Sequence, residues 1–239
     1  MAFATRSRAR ATPRRKLPPQ LDALTLSRQQ RQRVHMAAAV LLDYPDDAWF
    51  AKLATVRTLI APLPEKLRAP LEQFMDAAIR AGAGDWERLY VTTFDLKRKC
   101  SLYLTYFATG DTRKRGTALV TILEAYRAAG WEFDAAELPD YLPAVLEFSA
   151  MSESEIAGAL LSSHREGIEV LRAALEGMDS PWADVTRAVT LSLPPIDEAT
   201  RERYLDLISE GPPTETVGLS FLGNLPPYSP HAPNAREDR

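Results

Sequence analysis

Cys100 is the only cysteine in this 239-residue chain, so no disulfide can form within it. That suits a reducing compartment and points to the cytoplasm. Long apolar runs are missing too. Stretches such as Met36–Leu42 fall far short of the roughly 20 residues that span a bilayer, so a soluble chain without stable membrane insertion is expected. His35, His164 and His231 lie far apart and lack the spacing of metal ligands. His35 and His164 are expected as helix residues at a surface or core edge. No HExxH, CxxC or glycine-rich nucleotide signature occurs, and no local pattern pairs a Ser or Cys nucleophile with a base. Lys97, Arg98 and Lys99 precede Cys100 and would lower its pKa if it were exposed. A buried, inert thiol is the reading adopted.

What the chain does have is a globular composition, with 46% hydrophobic and 26% charged residues. Its net charge of −3 hides an asymmetry. Residues 1–33 carry nine Arg or Lys against Asp22 alone, so the remainder is acidic and should attract basic partners. The basic start lacks the apolar stretch of a secretory signal after Lys16, and Arg14-Arg15 lacks the one a twin-arginine signal needs. An organellar transit peptide shares this composition, but a disordered tail over 1–26 is the simpler reading. The acidity of the rest argues against a nucleic-acid adaptor.

From Ser27 onward the apolar spacing is helical. Val34, Ala37, Ala38, Leu41 and Leu42 form one face before Tyr44-Pro45 ends the run. Ala48 to Ile60 reads as a second helix, and a third is expected to start near Pro70. Gly82 and Gly84 stop it, with Asp85 as the cap of the next. Leu102, Tyr103, Tyr106 and Phe107 cluster at helical spacing. A helix through Leu119, Ile122 and Tyr126 closes at Gly130. Ser152 and Glu155 have capping-box spacing and predict one long helix to Leu175. Ser180-Pro181 begins another. The domain expected is a helical body over 27–193, followed by a proline-rich tail over 194–239 with one short helix near Glu198 to Ser209. There is no strand pattern and no internal repeat.

Two segments concentrate unusual residues. Gly110 to Gly116 brackets Asp111 and three bases, among them Arg113 and Arg115. Main-chain amides and guanidiniums there suit an anion, while an ordinary connection with Asp111 paired to Arg113 or Arg115 suits the residues as well. Glu137 to Pro143 holds two prolines that fix the direction of Glu137, Asp140 and Tyr141, either for a partner or simply to cap the following helix. Tyr103, Tyr106 and Tyr126 offer rings for guanidinium or apolar side chains, or fill the core.

Taken in order, Leu41–Pro45, Asp95-Leu96, Ser101–Tyr106, Gly110–Arg113 with Arg115-Gly116, Glu137–Pro143 and Leu146–Phe148 closely resemble the nitrate reductase delta subunit family. These are the NarJ-type molybdenum-cofactor assembly chaperones, and the resemblance spans about residues 34 to 175. It implies an all-α, compact helical bundle of the molybdoenzyme-chaperone type, with no catalytic residue and no cofactor or metal of its own. The related chaperones of other molybdoenzymes carry a histidine where this chain has Tyr141. The partner implied is the apo alpha subunit of respiratory nitrate reductase, bound in part through its basic, apolar amino-terminal segment while the molybdenum cofactor is inserted. Cofactor-delivery proteins are further partners. The candidate partner-binding residues are Asp95, Tyr103, Tyr106, Asp111, Arg113, Arg115, Tyr126, Glu137, Pro139, Asp140, Tyr141 and Glu147, with Glu137, Asp140 and Glu147 as anchors for peptide arginines. The alternative is a phosphate- or nucleotide-handling enzyme built on the Gly110 to Gly116 turn.

Overall fold

The computed structural model describes residues 21–133 and 137–193. Among these residues ten α-helices follow one another: α1 (Arg28–Leu42), α2 (Asp47–Ile60), α3 (Glu65–Ala81), α4 (Ala83–Phe94), α5 (Leu104–Thr109), α6 (Lys114–Ala128), α7 (Leu142–Met151), α8 (Glu155–Ser163), α9 (Arg165–Glu176) and α10 (Trp182–Ser192), with a 3-10 turn at Arg98–Cys100 before α5. Among the described residues there is no strand, only an isolated antiparallel bridge between Tyr103 and Tyr141. The expected all-α bundle is what forms. No described helix is long and apolar enough to cross a membrane.

α1 is the central helix. Ser27 and Gln30 cap it reciprocally, each side chain accepting the other's backbone N–H. The face read from spacing, Val34, Ala37, Ala38, Leu41 and Leu42, is fully buried and lies chiefly against α7 and α10. The aromatic core sits beside its end. Trp182 of α10 is completely buried and meets Phe74, Trp86, Tyr90 and Phe94 at ring separations of 4.9–5.7 Å. Such tilted and edge-on contacts add to the area these rings bury.

Several expectations shift in the structure. α3 begins at Glu65, so Pro70 lies inside it rather than starting it. Pro64 already accepts the Leu67 and Arg68 amides. The bond Pro70 forgoes is to the carbonyl of exposed Lys66, where water can replace it. Gly82, at φ +79, caps α4 and leaves Asp85 in the first turn, paired with Arg88. Leu102 and Tyr103 are not helical. The amide of Leu104 donates to Asp140 O, and that of Leu142 to Leu102 O, drawing the chain into a short ladder. The long helix expected to run to Leu175 is two helices. Ser154, not Ser152, caps α8, and the chain breaks at His164. After the break α9 packs on α5 through Gly167, where a Cβ would stand 2.7 Å from the Phe107 ring.

The boundary expected at residue 26 also moves. The Leu24 amide donates to Leu191 O at 2.9 Å, Leu26 is buried, and Leu21 and Leu24 pack against the core. The basic stretch before residue 21, the tail over 194–239 and the short helix expected near Glu198 to Ser209 lie outside the described residues.

His35, expected at a surface or core edge, is buried at 4% exposure and joins three helices. Its Nδ1 lies 2.9 Å from Ser149 Oγ of α7, and its Nε2 2.9 Å from Ser192 Oγ of α10. Ser192 donates its hydroxyl proton to Val189 O at 2.6 Å, so it accepts from Nε2–H and leaves Nδ1 to accept from Ser149. The ring is therefore neutral. Burial, helped by Arg31, lowers its pKa to about 4. A folded-state pKa below the unfolded value means that acid favours unfolding, because the unfolded chain takes up the proton first. Stability should fall by about 2 kcal/mol between pH 7.5 and pH 5 from this residue alone. Urea unfolding across that window should show a clearly flatter profile for His35→Gln. Identical slopes for the two proteins would remove His35 as the cause.

Candidate functional site

The sequence blocks meet at one cleft of about 390 Å³. Its floor begins where α1 ends. Tyr90 of α4 donates its hydroxyl to Leu42 O at 3.1 Å, and the ring of Tyr44 stands edge-on to it at 5.4 Å. The Tyr141 hydroxyl lies 3.3 Å from that of Tyr90 and 3.4 Å from Asp43 Oδ1. Burial holds both the Tyr90 and the Tyr141 phenols far above the ordinary tyrosine range, so they act only as neutral hydrogen-bonding groups. Tyr103 and Tyr141 face one another at 5.6 Å across their backbone bridge. Tyr106 completes this wall. Asp95, Leu96, Lys97 and Arg98 add to the lining, the last hydrogen-bonded to Tyr106. Leu96 is 72% exposed and Tyr44 45%, an apolar rim left open by the described residues.

Glu137 closes the near side. It accepts a hydrogen bond from the Tyr103 hydroxyl at 2.9 Å, on a turn exposed to solvent. Burial, then this carboxylate, pushes the Tyr103 phenol up to about 12. Asp140, three residues on, has a different task. It is wholly buried. Its Oδ2 accepts the backbone N–H and the hydroxyl of Thr105, and Arg115 Nη2 lies 3.8 Å away. α5 has no side-chain cap of its own, and a carboxylate at its first turn supplies one from a distant segment. A six-residue helix is too short to stand without such help.

The sequence candidates are divided between the cleft and its surroundings. Asp95, Tyr103, Tyr106, Glu137 and Tyr141 line the cleft. Asp111 and Arg115 stand just behind it, the latter 5.2 Å from the Tyr103 ring centre, while Arg113 precedes α6 on the surface. Tyr126 and Pro139 are core residues. The Tyr126 ring packs 4.4 Å from Phe148, and its hydroxyl reaches Pro139 O at 3.5 Å. Glu147 is exposed on α7 and does not line the cleft. Of the three acids offered as anchors for arginines, Asp140 is thus already engaged and Glu147 lies elsewhere, leaving Glu137. Sequence reasoning left Asp43, Tyr44, Tyr90, Leu96 and Arg98 off the site. The signal for Asp43, Tyr44 and Leu96 was present in the family-like blocks Leu41–Pro45 and Asp95-Leu96. Tyr90 simply read as a helix's apolar position. Cys100 is buried, and burial lifts its thiol to about 11 against the smaller pull of Lys97. It is not poised as a nucleophile.

Comparison with known proteins gives a consistent result. The family model described as nitrate reductase delta subunit matches residues 60–187. The chain is 33% identical over 164 residues to a Bacillus subtilis protein named "probable nitrate reductase molybdenum cofactor assembly chaperone NarJ", covering 68% of this chain and 89% of that one. It is 36% identical over 156 residues to the Mycobacterium tuberculosis nitrate reductase-like protein NarX, covering 65% of this chain but 24% of that longer protein. The Escherichia coli nitrate reductase molybdenum cofactor assembly chaperone NarJ is 31% identical over 146 residues, 60% of this chain and 62% of its own. An Archaeoglobus fulgidus crystal structure, of a protein proposed to mature redox enzymes, shares the fold with a TM-score of 0.50 at 21% identity, covering 72% of this chain and 97% of that one.

The two acids of the 137–141 turn should separate cleanly on substitution. Asp140→Ala strands the Thr105 donors and Arg115, and should lower stability by about 3 kcal/mol in urea unfolding. Glu137→Gln keeps an acceptor for Tyr103 at an exposed site and should change stability by less than about 0.5 kcal/mol. Equal losses from both would contradict the division of roles.

Proposed function

Because this chain belongs to the nitrate reductase delta subunit family, we propose that it is a non-enzymatic, cytoplasmic assembly chaperone for nitrate reductase. It holds the apo alpha subunit, in part through that subunit's amino-terminal segment, while the molybdenum cofactor is installed as cargo. The Bacillus and Escherichia relatives, named as molybdenum cofactor assembly chaperones, support the general role. The observation that carries the binding mode is the cleft itself. Blocks from residues 41–45, 95–106 and 137–141 converge on a single tyrosine-rich cleft with an exposed apolar rim.

The chemistry of that cleft suits a peptide. Tyrosine supplies a large amphipathic face with little side-chain entropy to lose, and several lie here within van der Waals reach of one another. A volume of about 390 Å³ accommodates a few apolar side chains and not a folded domain. Asp95 and Glu137 sit among the lining together with Lys97 and Arg98, so the polar rim carries both signs. An exposed ion pair contributes only about 0.2–1 kcal/mol, and most of the affinity must come from burying Leu96, Tyr44 and the tyrosine faces.

Calorimetry with a peptide from the amino-terminal segment of the alpha subunit tests this directly. Leu96→Glu should weaken binding at least roughly tenfold, while the melting temperature stays unchanged because the side chain is already exposed. Tyr44→Ala should act in the same direction. Absence of measurable binding to the unaltered chain would reject the peptide mode. An unchanged molybdenum content of the alpha subunit in cells lacking this chain would reject the chaperone role.

A further inference from the structure

One end of the cleft carries an arrangement that burial of an apolar peptide does not require. Arg98 lies with its guanidinium carbon 5.9 Å from the Tyr106 ring centre, and its Nε donates to the Tyr106 hydroxyl at 2.7 Å. Arg115, in the first turn of α6, lies 5.2 Å from the ring centre of Tyr103. Each arginine is thus braced on one tyrosine of the same wall, and both face one carboxylate. Asp111 stands 3.9 Å from Arg98 and 3.7 Å from Arg115. These separations are too long for hydrogen bonds, and the Asp111 side chain is 67% exposed. Nε and Nη2 of Arg115 are buried and make no hydrogen bond among the described residues.

We propose that Arg98, which lines the cleft, and Arg115, just behind it, form a carboxylate receptor beside the Tyr103–Tyr106 end. It takes an Asp or Glu side chain of the peptide bound there, and Asp111 is a placeholder which that side chain displaces. The proposal deepens the peptide reading and rests on it. The Nη atoms of Arg98 and Nη1 of Arg115 make no hydrogen bond among the described residues and can meet a planar carboxylate, and the tyrosine faces already restrict the arginines, so little further ordering accompanies binding. The placeholder yields because an exposed ion pair near 4 Å is weak. A monoanion fits better than a phosphate dianion. Asp140, wholly buried and 3.8 Å from Arg115, contributes a fixed negative charge that a dianion would meet at close range. The surroundings favour an anion over a cation here. Lys97, Arg98, Lys99, Arg113, Lys114 and Arg115 all fall between residues 97 and 115, and they outnumber the four nearby acids, Asp111 of that segment with Asp95, Glu137 and Asp140, in a chain whose net charge is negative.

The test uses the full-length chain and overlapping peptides from the amino-terminal segment of the alpha subunit, titrated by calorimetry. The tightest binder should contain an Asp or Glu whose change to Asn or Gln weakens binding roughly tenfold. Arg98→Gln should weaken the parent peptide by a similar factor and leave the amide-substituted peptide unaffected. Asp111→Asn should strengthen the parent about threefold by removing the competitor. Circular dichroism melts establish that each variant is folded. Inorganic phosphate should compete no better than chloride at equal ionic strength. A tight binder without any acid, independent effects of the peptide and Arg98 changes, or selective competition by phosphate would each overturn the receptor while the cleft remains a peptide site. If no peptide binds the unaltered chain, the underlying peptide reading fails, and the receptor with it.

Discussion

Three carbonyls at the end of α1 hold the structure in place. A helix leaves its last four C=O groups without intrahelical partners, and burying them unpaired is expensive. Here Val40 O accepts from the indole N–H of Trp49 at 2.6 Å, Leu41 O from that of Trp182 at 3.1 Å, and Leu42 O from the hydroxyl of Tyr90 at 3.1 Å. The three donors come from α2, α10 and α4, so one helical turn fixes the position of three other helices. Each ring is buried on its apolar faces and satisfied at its polar edge, the arrangement that lets tryptophan and tyrosine enter a core without penalty. The same turn sends Asp43 and Tyr44 outward. The floor of the cleft is therefore continuous with the cap of α1, and its geometry follows from core packing rather than from a flexible loop.

A second tie, the Asp140 carboxylate, does for the opposite wall what the ring donors do for the floor. It caps α5 from a segment 35 residues away and brings Tyr103 against Tyr141. Glu137 and Asp140 are three residues apart, yet one is exposed on the rim and the other wholly buried. The two prolines of this turn explain the separation. Pro139 is buried and sits immediately before Asp140, and Pro143 falls in the first turn of α7, so the backbone between them has little freedom to exchange the two carboxylates.

Much of this fold was legible in the sequence, because helical spacing of apolar residues is a local signal. The α1 face, the ends at Tyr44-Pro45 and Gly130, and the start of α10 follow from it. What sequence could not supply was decided by tertiary partners. Leu102 and Tyr103 have helical spacing but are held extended by backbone bonds to Asp140 and Leu142. Pro70 has the signature of a helix start, yet Leu67 is buried one turn earlier and the helix extends to bury it. Tyr126 and Tyr106 look alike in sequence. One packs against Phe148 in the core, and the other exposes its hydroxyl edge to Arg98. Arg172 and Glu169 are fully or nearly buried between Arg165 and Glu176, and nothing local in the sequence announces their burial. The cleft was legible only as a set of blocks. Which block faced which had to come from the fold.

The distribution of charge changes what the proposed role requires. An acidic body suggested a negatively charged shelter for a basic segment, whereas the cleft pairs Asp95 and Glu137 with Lys97 and Arg98. A transient holder gains from that balance. A desolvated single-sign pocket would bind an oppositely charged segment tightly and release it slowly, since differences in affinity lie mostly in dissociation rates. Exposed, mixed-sign contacts around an apolar floor add orientation and discrimination without much affinity. The apolar floor then sets the strength, and the rim sets the register. An assembly chaperone must surrender its client when the client folds, and the weak link is best placed where solvent already reaches. Here that place is the polar part of the rim, Asp95, Lys97 and Glu137, while Leu96 and Tyr44 belong with the tyrosine faces that supply the affinity, and the α1 cap and the Asp140 tie hold the floor and wall beneath them.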